Sequence, residues 1–373
     1  MAHPGAELFG SDRVFLDSVD QLQQRGWRVV VTIPSSGPLQ EELISRGVEV
    51  LTRPTAVLRK SALGPLGALR LVADIGRGIG PGIKVLRAVQ PQVVYVSTIT
   101  IPLWALLARL LRVPVIWHIH EAETGASKII QKILAAPLLL ATRIIANSDF
   151  TKAAMVACHR RLNDRFHVVL NPVTGPVSPV WPRPELKGRI NVLFVGRLSP
   201  RKGPDVALRA VKIVRDSGID SSITFAGSVF AGYEWFEADL MSQVQSLGLS
   251  EVTDFLGFVD DVWPVLASAD VVVMPSVADE GFGNSAVEAL LAGRPVIVSD
   301  AGGLIEAVDG YETARVVARG EHEALAGSIC EMVQDWDRVV ASAPNDAQRA
   351  QQRHSVATFG AELDKVVQEV ANS

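Results

Sequence analysis

Glu280-Gly-Phe-Gly-Asn-Ser-Ala-Val-Glu288 sets two carboxylates eight positions apart, split by a Gly-Phe-Gly turn and the start of a helix. Asn284 reads as an N-cap, and the run from Ser285 to Ala292 as a short helix closed by Gly293 and Pro295. Glu280 then lies on the loop, and Glu288 about one turn into the helix. Both face the crevice above a strand, where the N–H groups of a helix start attract an anion. Phosphate-binding backbone beside two hydroxyl acceptors suits a sugar nucleotide.

Outward from this stretch, β-branched runs alternate with amphipathic helical segments. Strands are expected at Val29–Ile33, Val48–Leu51, Val93–Val96, Val115–His118, Ile144–Ala146 and Val168–Leu170. The theme repeats at Val192–Val195, Ile223–Ala226, Asp254–Leu256, Val271–Met274, Val296–Val298 and Arg315–Val317. Continuous apolar strands with helices between them indicate parallel sheets covered on both faces. Two such sets predict an α/β chain of two doubly wound, Rossmann-like domains. Five prolines between Pro172 and Pro184 rule out regular structure there. The expected division is therefore 1–171, a linker at 172–188 about which the domains close, 189–345, and a helical passage at 346–373 that crosses back to the first domain.

The chain opens with a glycine-containing loop, Pro4-Gly5 to Gly10-Ser11, that runs into a helix. In a doubly wound domain such a loop follows the first, mid-sheet strand. Almost nothing precedes it here, so a strand of about five residues is expected upstream of Met1.

Composition narrows the classes. The chain is 48% apolar and 20% charged, which suits globular cores and excludes a disordered chain. A net charge of −4 gives no argument for nucleic acid as a partner. Cys158 and Cys330 stand far apart without metal spacing, which fits a reducing, cytoplasmic setting. The opening residues carry no basic and apolar leader pattern. The longest apolar stretch, Pro102 to Trp117, is interrupted by Arg109 and Arg112 and is too short to span a bilayer.

A second constellation is Val192-Leu-Phe-Val-Gly-Arg-Leu-Ser-Pro-Arg-Lys-Gly203. A buried strand ends at Gly196, the loop carries Arg197, Arg201 and Lys202, and Pro204 opens a helix. A leaving diphosphate accumulates negative charge, for which Arg offers a planar fork and Lys a point charge. A basic loop at the carboxyl end of the first strand of such a domain lies where ligands bind.

Together, Gly196-Arg197 with Lys202-Gly203, Pro275-Ser276 before Glu280-Gly-Phe-Gly, Glu288, and Gly293 to Gly303 make the chain resemble the retaining family 4 glycosyltransferases of the GT-B fold. The resemblance covers most of the chain and is densest from 190 to 308. It implies a nucleotide-sugar donor, no cofactor, no essential metal and a cleft between two Rossmann-like domains. By resemblance, Arg197 and Lys202 hold the diphosphate, Glu280 contacts the donor sugar near the reacting carbon, and Glu288 takes the ribose hydroxyls. The backbone around Phe282, Gly283 and Asn284 lines the sugar and phosphate pocket, and Gly257-Phe258 meets the base. Gly5 stands where the family has a double glycine, on the acceptor side. The acceptor class is a glycan, a lipid-linked or a small molecule. Asn147-Ser148 and Asn171-Pro172 match family positions and equally fit turn and cap residues.

Trp117-His-Ile-His-Glu121 ends a strand, with His118 and His120 on one face. Two histidines without a third spaced ligand make no metal site. The resemblance makes one of them a catalytic contact to the donor sugar that also positions the acceptor; His118, nearer the strand, is favoured over His120. A glycosidase would also use paired carboxylates, but not at a nucleotide-type crevice. Asp335-Trp-Asp337 lies in a late helical stretch and reads as solvated surface. Gly76-Arg-Gly78 lacks the preceding strand that a nicotinamide site needs. From Leu58 to Val89, Arg59, Lys60, Arg70, Arg77, Lys84 and Arg87 mingle with leucines around one acid, Asp74. That pattern fits an ordinary solvent-facing helix pair or a peripheral contact with anionic membrane. Two alternatives stand beside the transferase: an enzyme of the same fold resembling UDP-GlcNAc 2-epimerase, and a non-catalytic nucleotide-sugar-binding protein.

Overall fold

The computed structural model describes all residues except 9, 59–64, 123, 231 and 373. The chain divides into two compact units, residues 1–172 with 356–373, and residues 173–355.

The first unit alternates α1 (Gly10–Gln24), β1 (Val30–Ile33), α2 (Pro38–Ser45), β2 (Glu49–Thr52), α3 (Pro65–Val89), β3 (Val94–Ser97), α4 (Pro102–Leu110), β4 (Val115–Ile119), α5 (Lys128–Ala135), β5 (Arg143–Ala146), α6 (Asp149–Cys158) and β6 (Phe166–Val168). All pairings are parallel, in the orders β1-β2 and β3-β4-β5-β6. Ala2 bridges both sheets, to Thr32 on one side and Val96 on the other. Its N–H donates to the Tyr95 carbonyl at 2.8 Å, its carbonyl accepts from Ser97 at 2.9 Å, and Thr32 N–H reaches the Met1 carbonyl at 2.9 Å. Ala2 thus stands between β1 and β3, the place where the sequence reading expects a strand that runs upstream of Met1. β6 lies two residues earlier than expected, because Phe166 fills the core beside Ile144. Among the described residues of the 58–89 stretch, 65–89 form the helix α3, and Arg59, Lys60 and Leu63 fall outside the described residues.

The second unit runs β7 (Ile190–Val195), α7 (Pro204–Asp216), β8 (Ser221–Ala226), α8 (Glu234–Ser246), β9 (Thr253–Gly257), α9 (Trp263–Ser268), β10 (Val271–Met274), α10 (Asn284–Leu291), β11 (Val296–Ser299), α11 (Gly303–Val308), β12 (Ala314–Val317), α12 (His322–Gln334) and α13 (Trp336–Arg353). The sheet order is β12-β11-β10-β7-β8-β9, all parallel. β7 and β10 are buried throughout their centres, and the helices close both faces over a Val-, Ile- and Phe-rich core.

Two boundaries differ from the sequence reading. The proline-rich passage after Pro172 has no helix or strand, yet it packs on the second unit. Arg183 forks onto Asp270 at 2.8 and 2.9 Å, and Trp336 Nε1 donates to the Arg183 carbonyl at 2.8 Å. The final helical passage is two helices. α13 belongs to the second unit, while α14 (Val356–Ala371) lies on α1 in the first, burying Phe359, Leu363, Val366, Val367 and Val370.

Candidate active site

The strand order of the second unit reverses direction between β7 and β10, which pair directly. In an open α/β sheet, ligands bind outside the carboxyl ends of the strands at that switch point. Two loops leave it: 196–203 from β7 and 275–283 from β10.

Glycines let these loops lie against one another. Gly203 caps α7 with φ +65°, and a Cβ there would sit 2.2 Å from the Pro275 carbonyl oxygen. Gly227, after β8, has φ +152°, and its Cβ would fall 1.9 Å from the Gly196 oxygen. Backbone bonds continue the seam, from Val277 N–H to the Arg201 carbonyl at 2.8 Å and from Gly303 N–H to the Glu280 carbonyl at 2.8 Å.

This backbone brings the predicted residues together. Lys202 Nζ lies 3.1 Å from Glu280 Oε2, with both side chains partly buried. Ser276, itself buried, donates from Oγ to Glu280 Oε1 at 3.2 Å, and Ser299 Oγ donates to the Ser276 carbonyl at 2.5 Å. Glu280 is therefore held on both carboxylate oxygens. The Arg197 guanidinium rests over the Phe230 ring, 3.3 Å from its centroid, a cation–π seat. Desolvation lowers the Arg197 pKa, Arg201 adds to that and Glu280 opposes it, so the two arginines and the carboxylate share one field. Arg201 itself donates to the Asp279 carbonyl at 2.9 Å.

Gly283, not Asn284, is the N-cap of α10, and Asn284 is the first helical residue. The correction has a steric cause. A Cβ on Gly283 would lie 2.7 Å from Leu304 Cδ2 and 3.1 Å from Ala307 Cβ, so α10 meets α11 without room for a capping side chain. Asn284, Ser285 and Glu288 are half-buried, while Ala286, Val287, Ala289, Leu290 and Leu291 are buried. Glu288 thus stands on the more open face, one turn in from the helix start. Phe282 is buried with its ring 5.5 Å from that of His354. Gly257 has φ +68° and accepts from Gly227 N–H at 2.8 Å; Phe258 beside it is 64% exposed.

In the first unit, His118 is 1% exposed, and its Nδ1 is hydrogen-bonded to the Tyr95 hydroxyl. β4 runs to Ile119, so His118 lies within the strand and His120 just past its end, and both ring nitrogens of His120 are buried as well. The two rings are 4.1 Å apart. Burial holds the His118 pKa well below the ordinary imidazole range and that of His120 down to about 4, with His3 lowering the latter further. Both rings are neutral near pH 7. Burial raises the Glu121 pKa. His3, on the opening loop, lies 3.2 Å from Asp12 and bonds back to Gly5 through Nδ1. No atom stands within 4 Å of a Cβ added to Gly5, so nothing in this unit's packing demands glycine there. Ser148 caps α6 by accepting from Thr151 N–H at 3.0 Å, and Asn147 Nδ2 donates to the His120 carbonyl at 3.5 Å. Asp335 and Asp337 are exposed where α12 meets α13, and Gly76 and Gly78 lie inside α3.

Sequence reading missed four participants. Ser276 stood in the quoted motif without a role. Phe230 could have been found as an aromatic residue in the loop after a strand. Asp279 and Arg319, 40 positions apart, carry no sequence signal of their pairing at 2.8 Å.

The family described as Glycosyl transferases group 1 matches residues 181–352, and Glycosyltransferase Family 4 matches residues 10–174. The chain is 35% identical over 150 residues to 2-deoxystreptamine glucosyltransferase of Streptomyces kanamyceticus, covering 40% of this chain and 37% of that protein. It is 35% identical over 176 residues to D-inositol 3-phosphate glycosyltransferase of Rhodococcus erythropolis, covering 45% and 39%. The chain thus spans less than half the length of either relative. Among solved structures, Anabaena HepE in complex with UDP-glucose superposes with a TM-score of 0.80 at 22% identity, over 99% of this chain and 98% of that one. The apo lipopolysaccharide outer core galactosyltransferase WaaB gives 0.73 at 15% identity, over 99% of each. These likenesses establish the GT-B fold.

Proposed function

The chain belongs to the family 4 glycosyltransferases, within the glycosyl transferases of group 1, and from that membership we propose that it moves a sugar from a nucleotide-sugar donor to an acceptor hydroxyl with retention of configuration. The observation that carries the reading is the Lys202–Glu280 pair, set by two loops at the β7/β10 switch point.

The acceptor oxygen attacks the anomeric carbon on the face from which the diphosphate departs. The bond from that carbon to the diphosphate oxygen breaks, and the acceptor proton passes to the leaving diphosphate. Arg197 and Lys202 stabilise the departing charge, the kind of preorganised electrostatic term that dominates most enzymatic rate enhancement. They supply that charge in place of a metal. Lys202 reaches the diphosphate by turning from Glu280, which frees the carboxylate for the sugar and for the positive charge developing on its ring. Glu288, one turn into α10, takes the ribose hydroxyls in this reading, and the backbone at Gly257-Phe258 the base. In the first unit the acceptor role falls to the loop at Gly5 and to His118, which also contacts the donor sugar.

The acceptor is a glycan, a lipid-linked or a small molecule. Two unpaired cysteines, Cys158 and Cys330, accord with a reducing interior as the working compartment.

The test is a panel of nucleotide sugars screened by thermal shift, followed by transfer assays with the donors that bind, UDP-glucose first. Product with the donor's anomeric configuration supports the reading. Free sugar epimerised at C2 without any acceptor, or tight binding with no turnover on any acceptor, overturns it.

A further inference from the structure

We propose that the helical face of the first unit formed by α3, α4 and α5 is a docking surface for an anionic lipid membrane. The clearest row is on α5. Lys128, Ile129, Lys132 and Ile133 share its outer side, with Ile129 72% and Ile133 61% exposed, while Ala135 turns inward. α4 repeats the arrangement, with Leu106, Arg109 and Leu110 outside and Leu103, Trp104, Leu107 and Ala108 buried. On α3, Leu69, Arg70, Val72, Arg77 and Ile79 are exposed.

The orientation of α3 is fixed from its other side. A Cβ on Gly78 would sit 2.6 Å from Leu103 Cδ2, and one on Gly82 2.5 Å from Leu107 Cδ1. The two glycines seat α3 on α4, so the outer row cannot turn inward without losing that fit. α4 also touches the 3-10 turn at 136–140 that continues α5, which links the three helices in series. Exposed apolar side chains of this size, grouped rather than scattered, mark interaction surfaces.

Charge selects the occupant. The three helices hold seven lysines and arginines against a single acid, Asp74, which lies 3.3 Å from Arg77. Among the described residues, no carboxylate lies within ion-pair distance of Arg70, Arg109, Lys128 or Lys132. A second copy of this face would oppose cation to cation. An anionic headgroup layer pairs those cations while the interleaved Leu and Ile side chains enter its apolar boundary. No described helix is long and apolar enough to cross a membrane, so the contact proposed is one that lies on the surface. Compared with the 58–89 stretch alone, the surface gains α4 and α5 and does not depend on residues 59–64.

The full chain is floated with vesicles of phosphatidylcholine alone and of phosphatidylcholine with phosphatidylglycerol, a readout that needs neither donor nor turnover. Co-flotation with the anionic vesicles at low salt, weakening as salt rises, is the expected result. Lys128→Glu with Lys132→Glu should weaken it by at least about 25-fold, since each cation near such a surface contributes about fivefold. Ile129→Ser with Ile133→Ser should also weaken it while leaving the melting temperature unchanged, because both side chains already face solvent. Absence of flotation with anionic vesicles at low salt, or equal flotation of the charge-reversed chain, overturns the proposal. A dimer in sedimentation that dissociates on Ile129→Ser with Ile133→Ser also overturns it and assigns the face to a second copy.

Discussion

Arg319 Nη1 lies 2.8 Å from Asp279 Oδ1, and its Nε lies 3.1 Å from Asp300 Oδ1. Its backbone N–H also donates to Asp300 at 2.9 Å. One guanidinium therefore ties together the loops that follow β10, β11 and β12, one residue from Glu280. A lone exposed ion pair is worth ~0–1 kcal/mol, but a fork onto two carboxylates fixes geometry as well as energy. Arg319→Gln should lower kcat/KM by roughly ten- to a hundredfold through misplacement of Glu280. Adding Asp279→Asn should cost little more, since the two share one interaction. Full additivity in the steady-state kinetics would refute the clamp.

Lys202→Ala and Glu280→Gln address the reaction itself. Each charge-assisted hydrogen bond to the diphosphate is worth ~1.5–3 kcal/mol, so Lys202→Ala should lower turnover by about 10- to 150-fold or more. Glu280→Gln should fall by orders of magnitude. Both variants should melt close to the parent, because the pair is only partly buried. Parent-like rates in either variant would remove that residue from the reaction.

Gly203→Ala should lose about 1–3 kcal/mol of stability, because φ is +65° and the Pro275 oxygen stands 2.2 Å from the new carbon. Donor binding should weaken with it, since the displaced segment carries Lys202. Gly5→Ala is the control: with nothing within 4 Å of its Cβ, chemical denaturation should show an unchanged midpoint.

Stability should depend on pH through His120. Burial lowers its folded-state pKa from 6.5 to about 4. Between these values the unfolded chain binds more protons, so this contribution is whole above pH 6.5 and is lost as pH falls toward about 4. Asp17 acts with opposite sign: burial raises its pKa from 3.8 to about 6, and its contribution is lost as pH rises through that range. Urea titrations of the parent and of His120→Asn at several pH values separate the two. The variant should show a shallower acid-side decline, the remainder coming from the buried His118 and from the Met1 amino group, whose pKa burial lowers to about 5, and an unaltered slope would contradict the enclosure of His120.

Excess EDTA should leave transfer rates unchanged. A rate lost to the chelator and restored by a divalent ion would show that Arg197 and Lys202 do not suffice for the leaving charge.

Strands were the most legible part of the sequence, since a parallel sheet covered on both faces demands unbroken runs such as Val271–Met274 and Val296–Ser299, both fully buried. The meeting of Lys202 with Glu280 was legible too, because the Gly203 and Gly283 turns lie at strand ends where this topology gathers ligands. The enclosure of the two histidines was not. Alternation along β4 puts His118 and His120 on one face, but only the packing shows that both rings are enclosed, His118 against Tyr95. The N-cap of α10 went to Gly283 because Leu304 and Ala307, distant in sequence, occupy the space a side chain would need. Asp279, Asp300 and Arg319 were invisible for the same reason: each is an ordinary charged loop residue until the sheet sets three loops side by side.

The return of α14 to the first unit has a consequence for the order of assembly. Residues 173–355 form one compact body, whereas the first unit draws on residues 1–172 and 356–373. Phe359, Leu363, Val366, Val367 and Val370 share a buried cluster with Val19, Val31 and Ile116. As the chain leaves the ribosome, the later body can finish first, while the earlier one must wait with that apolar flank uncovered until α14 emerges.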